Sequence, residues 1–253
     1  MVLGDRSLDQ FRPTAADVLT NTLSSRTEII IGTVVGDILP LALGIAISPI
    51  PIIAAILMLL SPKARATSIG FWIGWILGIV VAVGVFTLLA AVIPQPDTDQ
   101  PQPVAGVIKI LLGLLMILLA FKQWRGRPDP GDDPVLPKWM SAIDSMTAGK
   151  GIGLGFLLSA VNPKNLLMAA GAGVIIGSAA LPTGSTLIAV LTFTVIAGGS
   201  VSVPVIGYLV ASKAMTTPLE SLRTWLVHHN AAVMSVLLLV IGVTIICKGI
   251  GSL

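Results

Sequence analysis

Ser159-Ala160-Val161-Asn162-Pro163-Lys164-Asn165-Leu166-Leu167-Met168 lies inside an apolar stretch that extends from Ile152 to Ile176. A helix-breaking proline, a cation and two amides stand where a bilayer-spanning helix is ordinarily hydrocarbon. A lysine at the centre of a span costs about 2.5–3.5 kcal/mol on insertion scales, and such residues commonly mark a pathway or a binding site. If the chain moves something across a bilayer, this tetrad is the first place to look.

The rest of the chain supports a membrane setting. Of its 253 residues 55% are hydrophobic and 11% charged, whereas about a quarter of a soluble domain is charged. Length here counts spans rather than soluble domains. Six runs, 38–60, 67–93, 104–121, 152–178, 186–211 and 230–251, are each able to cross about 30 Å of hydrocarbon. No Asp or Glu falls inside them, and Asp37 stands at the edge of the first. The segment from Glu28 to Asp37 is expected to lie along the interface or to lead into the first span. The first 28 residues are polar and mixed in charge, without the basic-then-apolar layout of a cleavable signal. A net charge of +3 superficially suggests nucleic acid; basic topology signals account for it better, and no nucleic-acid partner is expected. The single cysteine, Cys247, cannot form an internal disulfide.

Lys and Arg are unevenly placed. Lys63, Arg65, Lys122, Arg125, Arg127, Lys138, Lys150, Lys213 and Arg223 lie in the connections after the first, third and fifth runs. The connections after the second and fourth carry none. Nine against zero puts the first set in the cytoplasm and both termini outside, although Arg6, Arg12 and Arg26 mildly oppose that orientation.

Three runs, a polar connection rich in Pro, Gly and charge (Lys122 to Pro134), then three more runs suggest an internal repeat. An odd number of spans per half would invert the second half. The opening spans agree: Leu43-Gly44-Ile45-Ala46-Ile47-Ser48-Pro49-Ile50-Pro51 resembles Leu154-Gly155-Phe156-Leu157-Leu158-Ser159-Ala160-Val161-Asn162-Pro163, each with Gly, then Ser, then proline in mid-span. The expected fold is an all-α integral membrane protein of six transmembrane helices, built as two inverted three-helix repeats with a broken first helix in each half. Two ordinary proline kinks would give the same pattern. The expected divisions are an extracytoplasmic or interfacial segment 1–37, a first repeat 38–121, a cytoplasmic linker 122–151 with an amphipathic segment, and a second repeat 152–253.

The breaks carry the candidate substrate-binding residues: Ser48, Pro49, Pro51, Ser159, Asn162, Pro163, Lys164 and Asn165. Prolines free backbone carbonyls around Ala46–Ser48 and near Ser159. Lys164 reads either as countercharge for an anionic head group, with Asn162 and Asn165 orienting it, or as a cap for the orphan carbonyls of the first half-helix. Lys109, near the start of the third run, can snorkel to the interface. Gly70, Gly74 and Gly78 form a small-residue stripe that admits a close helix. Gly198-Gly199-Ser200 and Pro204 read as packing, with a hinge as the alternative. Trp139, Met140, Ile143 and Met146 share one helical face, as do Leu219, Leu222, Trp225 and Leu226; the second set follows Thr217-Pro218-Leu219-Glu220, a capping box with proline at the first helical position. His228 and His229 read as interfacial polar residues, and neither a metal site nor a cofactor is expected. Ala148-Gly149-Lys150-Gly151 lacks the rest of a phosphate loop, no intramembrane carboxylate offers a proton relay, and no nucleophile–base set is visible; an enzyme is not expected.

Leu41 to Ala54 with Leu60-Ser61-Pro62-Lys63-Ala64-Arg65-Ala66, then Trp139-Met140, Ile143-Asp144 and Asn162-Pro163-Lys164-Asn165-Leu166, resemble the GAP family of peptidoglycolipid-addressing proteins, which includes the sulfolipid-addressing proteins. The resemblance covers roughly residues 38–253. The family is similar to the wider lysine-exporter superfamily of six-span bacterial transporters. It implies a multi-pass protein of the bacterial inner (plasma) membrane. Its implied task is export of an anionic lipid or glycolipid toward the cell envelope, as a transporter or transport accessory, by alternating access around the paired breaks. Lipid-synthesis or export proteins are implied partners, and a homo-oligomer is allowed. Two rivals remain open: a small-solute exporter for amino acids or ions, and a non-transporting scaffold for a lipid-export complex.

Overall fold

The computed structural model describes residues 15–92, 103–127, 143 and 145–251, with side chains from Glu28 onward except those of residues 103–105, 108 and 109. Trp139, Met140, most of the linker and the Lys109 side chain lie outside these residues. The described chain is helical: α1 (Ala15–Ala46), α2 (Pro49–Leu59), α3 (Ala64–Val92), α4 (Pro103–Arg125), α5 (Ala148–Phe156), a π-helical turn (Leu157–Val161), α6 (Pro163–Ser178) and α7 (Thr183–Ile250). Three helices are long and apolar enough to cross a membrane, or four if the bent pair Ala148–Val161 and Pro163–Ser178 counts as one. The described residues of the six apolar runs are helical except at the two breaks and at run ends. Two runs share α7, which is interrupted at Ala211 (φ −139°, ψ 56°).

Helix is the expected form because hydrocarbon offers no partners to backbone N–H and C=O groups, and a helix satisfies them internally. Within the apolar runs, large hydrophobic side chains lie on both the buried and the exposed sides of the helices. Phe71, Trp75, Phe193, Ile38, Ile53, Ile56 and Ile79 are buried, while Leu88, Val195, Val203 and Val210 point outward. A water-soluble chain would not expose so many large aliphatics at once.

Glycine sets how closely the helices meet. A Cβ at Gly70 or Gly74 would run into the Ala148 or Ile152 carbonyl, and one at Gly78 into Ser159 Oγ. In return, a Cβ at Gly151 or Gly155 would meet the backbone of α3 at Thr67 or Phe71. The stripe marked in the sequence is therefore half of a reciprocal seam, which continues as Gly173 and Gly177 against Val83 and Thr87. The order of these contacts makes α3 parallel to the bent α5–α6 unit. A second seam, Gly113 against Gly242 and Gly249 against Gly106, joins α4 to the end of α7 in antiparallel sense. Gly198 takes Ile76 against it, and Trp72 Nε1 donates to Ser202 Oγ at 2.8 Å, in keeping with a packing role for this part of α7.

One local reading is corrected. Helix was expected to start at Pro218; instead it resumes after Ala211, so Pro218 lies inside it. Leu219 and Leu226 are buried in the same core as Phe71 and Trp75, whereas Leu222 and Trp225 are exposed. Tertiary burial of that narrower stripe overrides the local start signal. The segment before Asp37 leads into the first run as a continuous part of α1.

The seam makes a stability contrast testable. Gly74→Leu is expected to cost at least about 1–3 kcal/mol through overpacking. Gly153→Ala, on the same face-to-face pair of helices but with open space around it, is expected to gain up to about 1 kcal/mol of helix propensity. Thermal unfolding of purified protein in detergent checks both. The same measurement tests Ala180, which holds φ 47° just past the end of α6; Ala180→Gly should stabilise by about 1 kcal/mol.

Candidate functional site

Each break is made the same way. At the first, α1 ends at Ala46, Ser48 adopts an extended conformation (φ −87°, ψ 107°), and Pro49 begins α2. At the second, Asn162 adopts φ −59°, ψ 121°, and Pro163 begins α6. Proline suits the first helical position because its missing N–H would have no helical acceptor there. Both breaks thus consist of a polar residue at the cap position followed by proline, and both open the N-terminus of a half-helix. The second turns the chain by 62°.

The polar residues divide the work. Asn162 Oδ1 accepts from the Lys164 backbone N–H at 3.1 Å, a helix N-cap. The π-turn closes with Asn162 N–H donating to the Leu157 carbonyl at 3.1 Å. Asn165, fully buried, donates through Nδ2 to the Leu158 carbonyl at 2.8 Å, satisfying one of the acceptors orphaned by the break. Its Oδ1 is buried without a hydrogen-bond partner among the described residues. Ser48, although at a cap position, does not cap α2. Its hydroxyl instead accepts from Lys164 Nζ at 3.3 Å, across 116 residues of sequence.

The carbonyl-capping duty that the sequence offered to Lys164 is therefore performed by Asn165, and the ammonium reaches the opposite break. Among the described residues no carboxylate lies within ion-pair distance of Lys164; the ion pair that forms, Lys248–Asp37 at 3.3 Å, joins the end of α7 to α1. Two half-helix N-termini, each with the positive end of its dipole, converge on this uncompensated cation. Lys164 is partly exposed, and the exposed residues flanking the two breaks in the chain, Ile47, Leu157, Val161, Pro163 and Leu167, are all apolar.

Of the other expected site residues, Pro49 and Pro51 are buried in the start of α2 and Pro163 is exposed at the start of α6. Ser159 is buried but turned away from the cation's partner. Its Oγ donates to the Gly155 and Phe156 carbonyls at 2.9 and 3.1 Å and occupies the space left by Gly78. It belongs to the helix seam. Two contributors escaped the sequence reading. Gly44 lets the Met168 side chain lie against α1 beside the break, and its Gly-before-Ser spacing was the available signal. The π-turn left no signal beyond the proline that follows it. His228 and His229 turn Nδ1 back to carbonyls of their own helix, both at 2.8 Å. No group of three or more His, Cys, Asp or Glu that could hold a metal occurs among the described residues.

Long apolar helices, two of them broken and joined through a part-buried polar contact, define a polytopic helical membrane protein. A family model described as Sap, sulfolipid-1-addressing protein, matches residues 38–251. The chain belongs to this sulfolipid-1-addressing family, a branch of the resemblance drawn from the two breaks. No curated protein and no solved structure matches the chain significantly.

The division of labour predicts unequal effects. Asn165→Ala strands the Leu158 carbonyl and is expected to cost about 1–3 kcal/mol. Ser159→Ala removes only a hydroxyl bonded back to its own helix and should cost under about 1 kcal/mol. Thermal melts of the two variants in the same detergent compare them directly.

Proposed function

We propose that this protein exports an anionic lipid or glycolipid toward the cell envelope, as transporter or as obligatory transport accessory, and that the paired breaks hold the head group. The observation that carries the reading is the Lys164 ammonium, bonded to Ser48 between two half-helix N-termini with no carboxylate beside it among the described residues. An anion placed there gains the ammonium charge and both dipole ends. The unpartnered Asn165 Oδ1 can accept from a head-group hydroxyl or a water. The exposed apolar residues around the break suit acyl chains that stay in the bilayer while the head group enters. That surface favours a lipid over a small polar solute, and membership of a sulfolipid-addressing family agrees with it.

Under this proposal the chain sits in the bacterial plasma membrane with its basic connections in the cytoplasm and both termini outside. Residues 38–121 and 152–253 are two inverted three-span halves, joined by a cytoplasmic linker, 122–151, and preceded by the segment 1–37. Alternating access rocks one half against the other at the Ser48–Lys164 contact. No chemical step is assigned to the protein. A kinship with lysine exporters would share this architecture while differing in cargo.

The test is export of the native lipid by Lys164→Gln at wild-type membrane abundance. A loss of at least tenfold is expected, equivalent to about 1.4 kcal/mol, with partial recovery in Lys164→Arg. Undiminished export by Lys164→Gln would remove the site from the function. Movement of a labelled sulfolipid across liposomes containing only this protein would distinguish a transporter from an accessory or scaffold.

A further inference from the structure

A distinct surface feature lies away from the breaks, where the end of α4 packs on α7. An apolar groove of about 260 Å³ is lined by Ala120, Phe121, Trp124, Ser235, Val236 and Leu239. It adjoins a shallow hollow of about 460 Å³ lined by Leu118, Phe121, Lys122 and Arg125, with Phe121 common to both. Arg127 lies over the Trp124 ring at 4.4 Å. Three cations thus gather within six residues at one end of a groove whose floor and walls are aliphatic and aromatic. Phe121 and Trp124 are exposed, as are Leu118, Val236 and Leu239.

The ordinary account of Lys122 and Arg125 is that basic residues complement the carbonyl end of a helix. That explains the charges but not the groove beside them. α4 and α7 are held together further along by the Gly113–Gly242 seam, while at positions 120 and 235 the facing residues are a small alanine and a small serine, both buried. Small Ala120 and Ser235 form its floor. Ser235 Oγ is turned back to the Ala232 carbonyl at 2.8 Å, so it offers the groove a carbon surface.

We infer that this groove holds a resident anionic phospholipid of the leaflet that faces the basic connections. One acyl chain lies between Phe121, Trp124, Val236 and Leu239, and the phosphate sits against Lys122 and Arg125. The occupant is chosen by charge complementarity. A zwitterionic lipid would bring its own cation to a surface that already carries three, whereas a net-negative phosphate is attracted, and basic clusters at the membrane interface select anionic head groups. Trp124 and Phe121 are the amphipathic and aromatic residues that settle at head-group depth. Because this site shares no residue with Ser48, Lys164 or the half-helix starts, it is independent of the export site proposed above.

Native mass spectrometry of the full-length protein, released from mild detergent after incubation with equal amounts of phosphatidylglycerol and phosphatidylcholine, tests the inference. Wild type should retain a phosphatidylglycerol adduct in preference to phosphatidylcholine. The double variant Lys122→Gln/Arg125→Gln should lose at least fivefold of that preference, and Lys164→Gln should keep it. Val236→Trp, which fills the groove from its exposed side without altering charge, should lower retention of the adduct while the protein remains folded by circular dichroism. Equal retention of both lipids by wild type overturns the charge argument. Loss of the adduct in Lys164→Gln, with retention in the double variant, overturns the location. An unchanged adduct in both the double variant and Val236→Trp overturns the site altogether.

Discussion

A backbone interrupted within hydrocarbon must find partners for the groups that the interruption releases. This chain interrupts itself twice and meets the requirement at one place. Prolines begin the second half-helices, so donors that would be stranded are absent at the start. Asn162 and Asn165 then satisfy an N–H and a C=O at the second break. With those needs met by amides, the lysine side chain is free to bond the other break through Ser48. Polar groups that look expensive singly are largely supported as a set, since partnered buried groups cost far less than stranded ones; the exception is Asn165 Oδ1, which has no partner among the described residues.

The network depends in turn on how closely the helices approach. Ser159 sits where Gly78 leaves room, and Gly155 and Gly74 bring the α3 and α5 backbones together within one turn of the π segment. Gly44 admits Met168 from α6 against α1, directly beside the Ser48–Lys164 contact. Dispersion and close packing, rather than a hydrophobic driving force, hold helices together in lipid. Small residues therefore determine whether the two breaks face each other at all.

Much of this is legible in the amino-acid sequence. Ser48-Pro49 and Asn162-Pro163 announce half-helix starts because cap and proline chemistry is local, and the Gly70–Gly74–Gly78 stripe announces a partner because spacing alone defines a helix face. What could not be read were choices between chemically similar candidates. Either Lys164 or Asn165 could have capped the freed carbonyl, and only the positions of Leu158 and Ser48 decide between them. The π-turn was hidden because Leu157 to Val161 carry no local signal that separates it from an ordinary α-helical turn. Thr217-Pro218-Leu219-Glu220 misled for the opposite reason: its local signal is genuine, but Leu219 and Leu226 have burial partners that the signal does not encode.

Pro49, Pro51 and Pro163 have a consequence for how long any guest would stay. Helix N-termini ordinarily grip anions with several directed amide hydrogens. Here the first and third residues of α2 and the first of α6 have none to give, and Asn162 already occupies the second amide of α6. The field of the dipoles survives, because it arises from the whole half-helix, while most of the directional clasp is missing. If the breaks hold an anionic head group as proposed, such a place would draw charge in from a distance yet release it readily, the kinetic character of a waypoint rather than a vault.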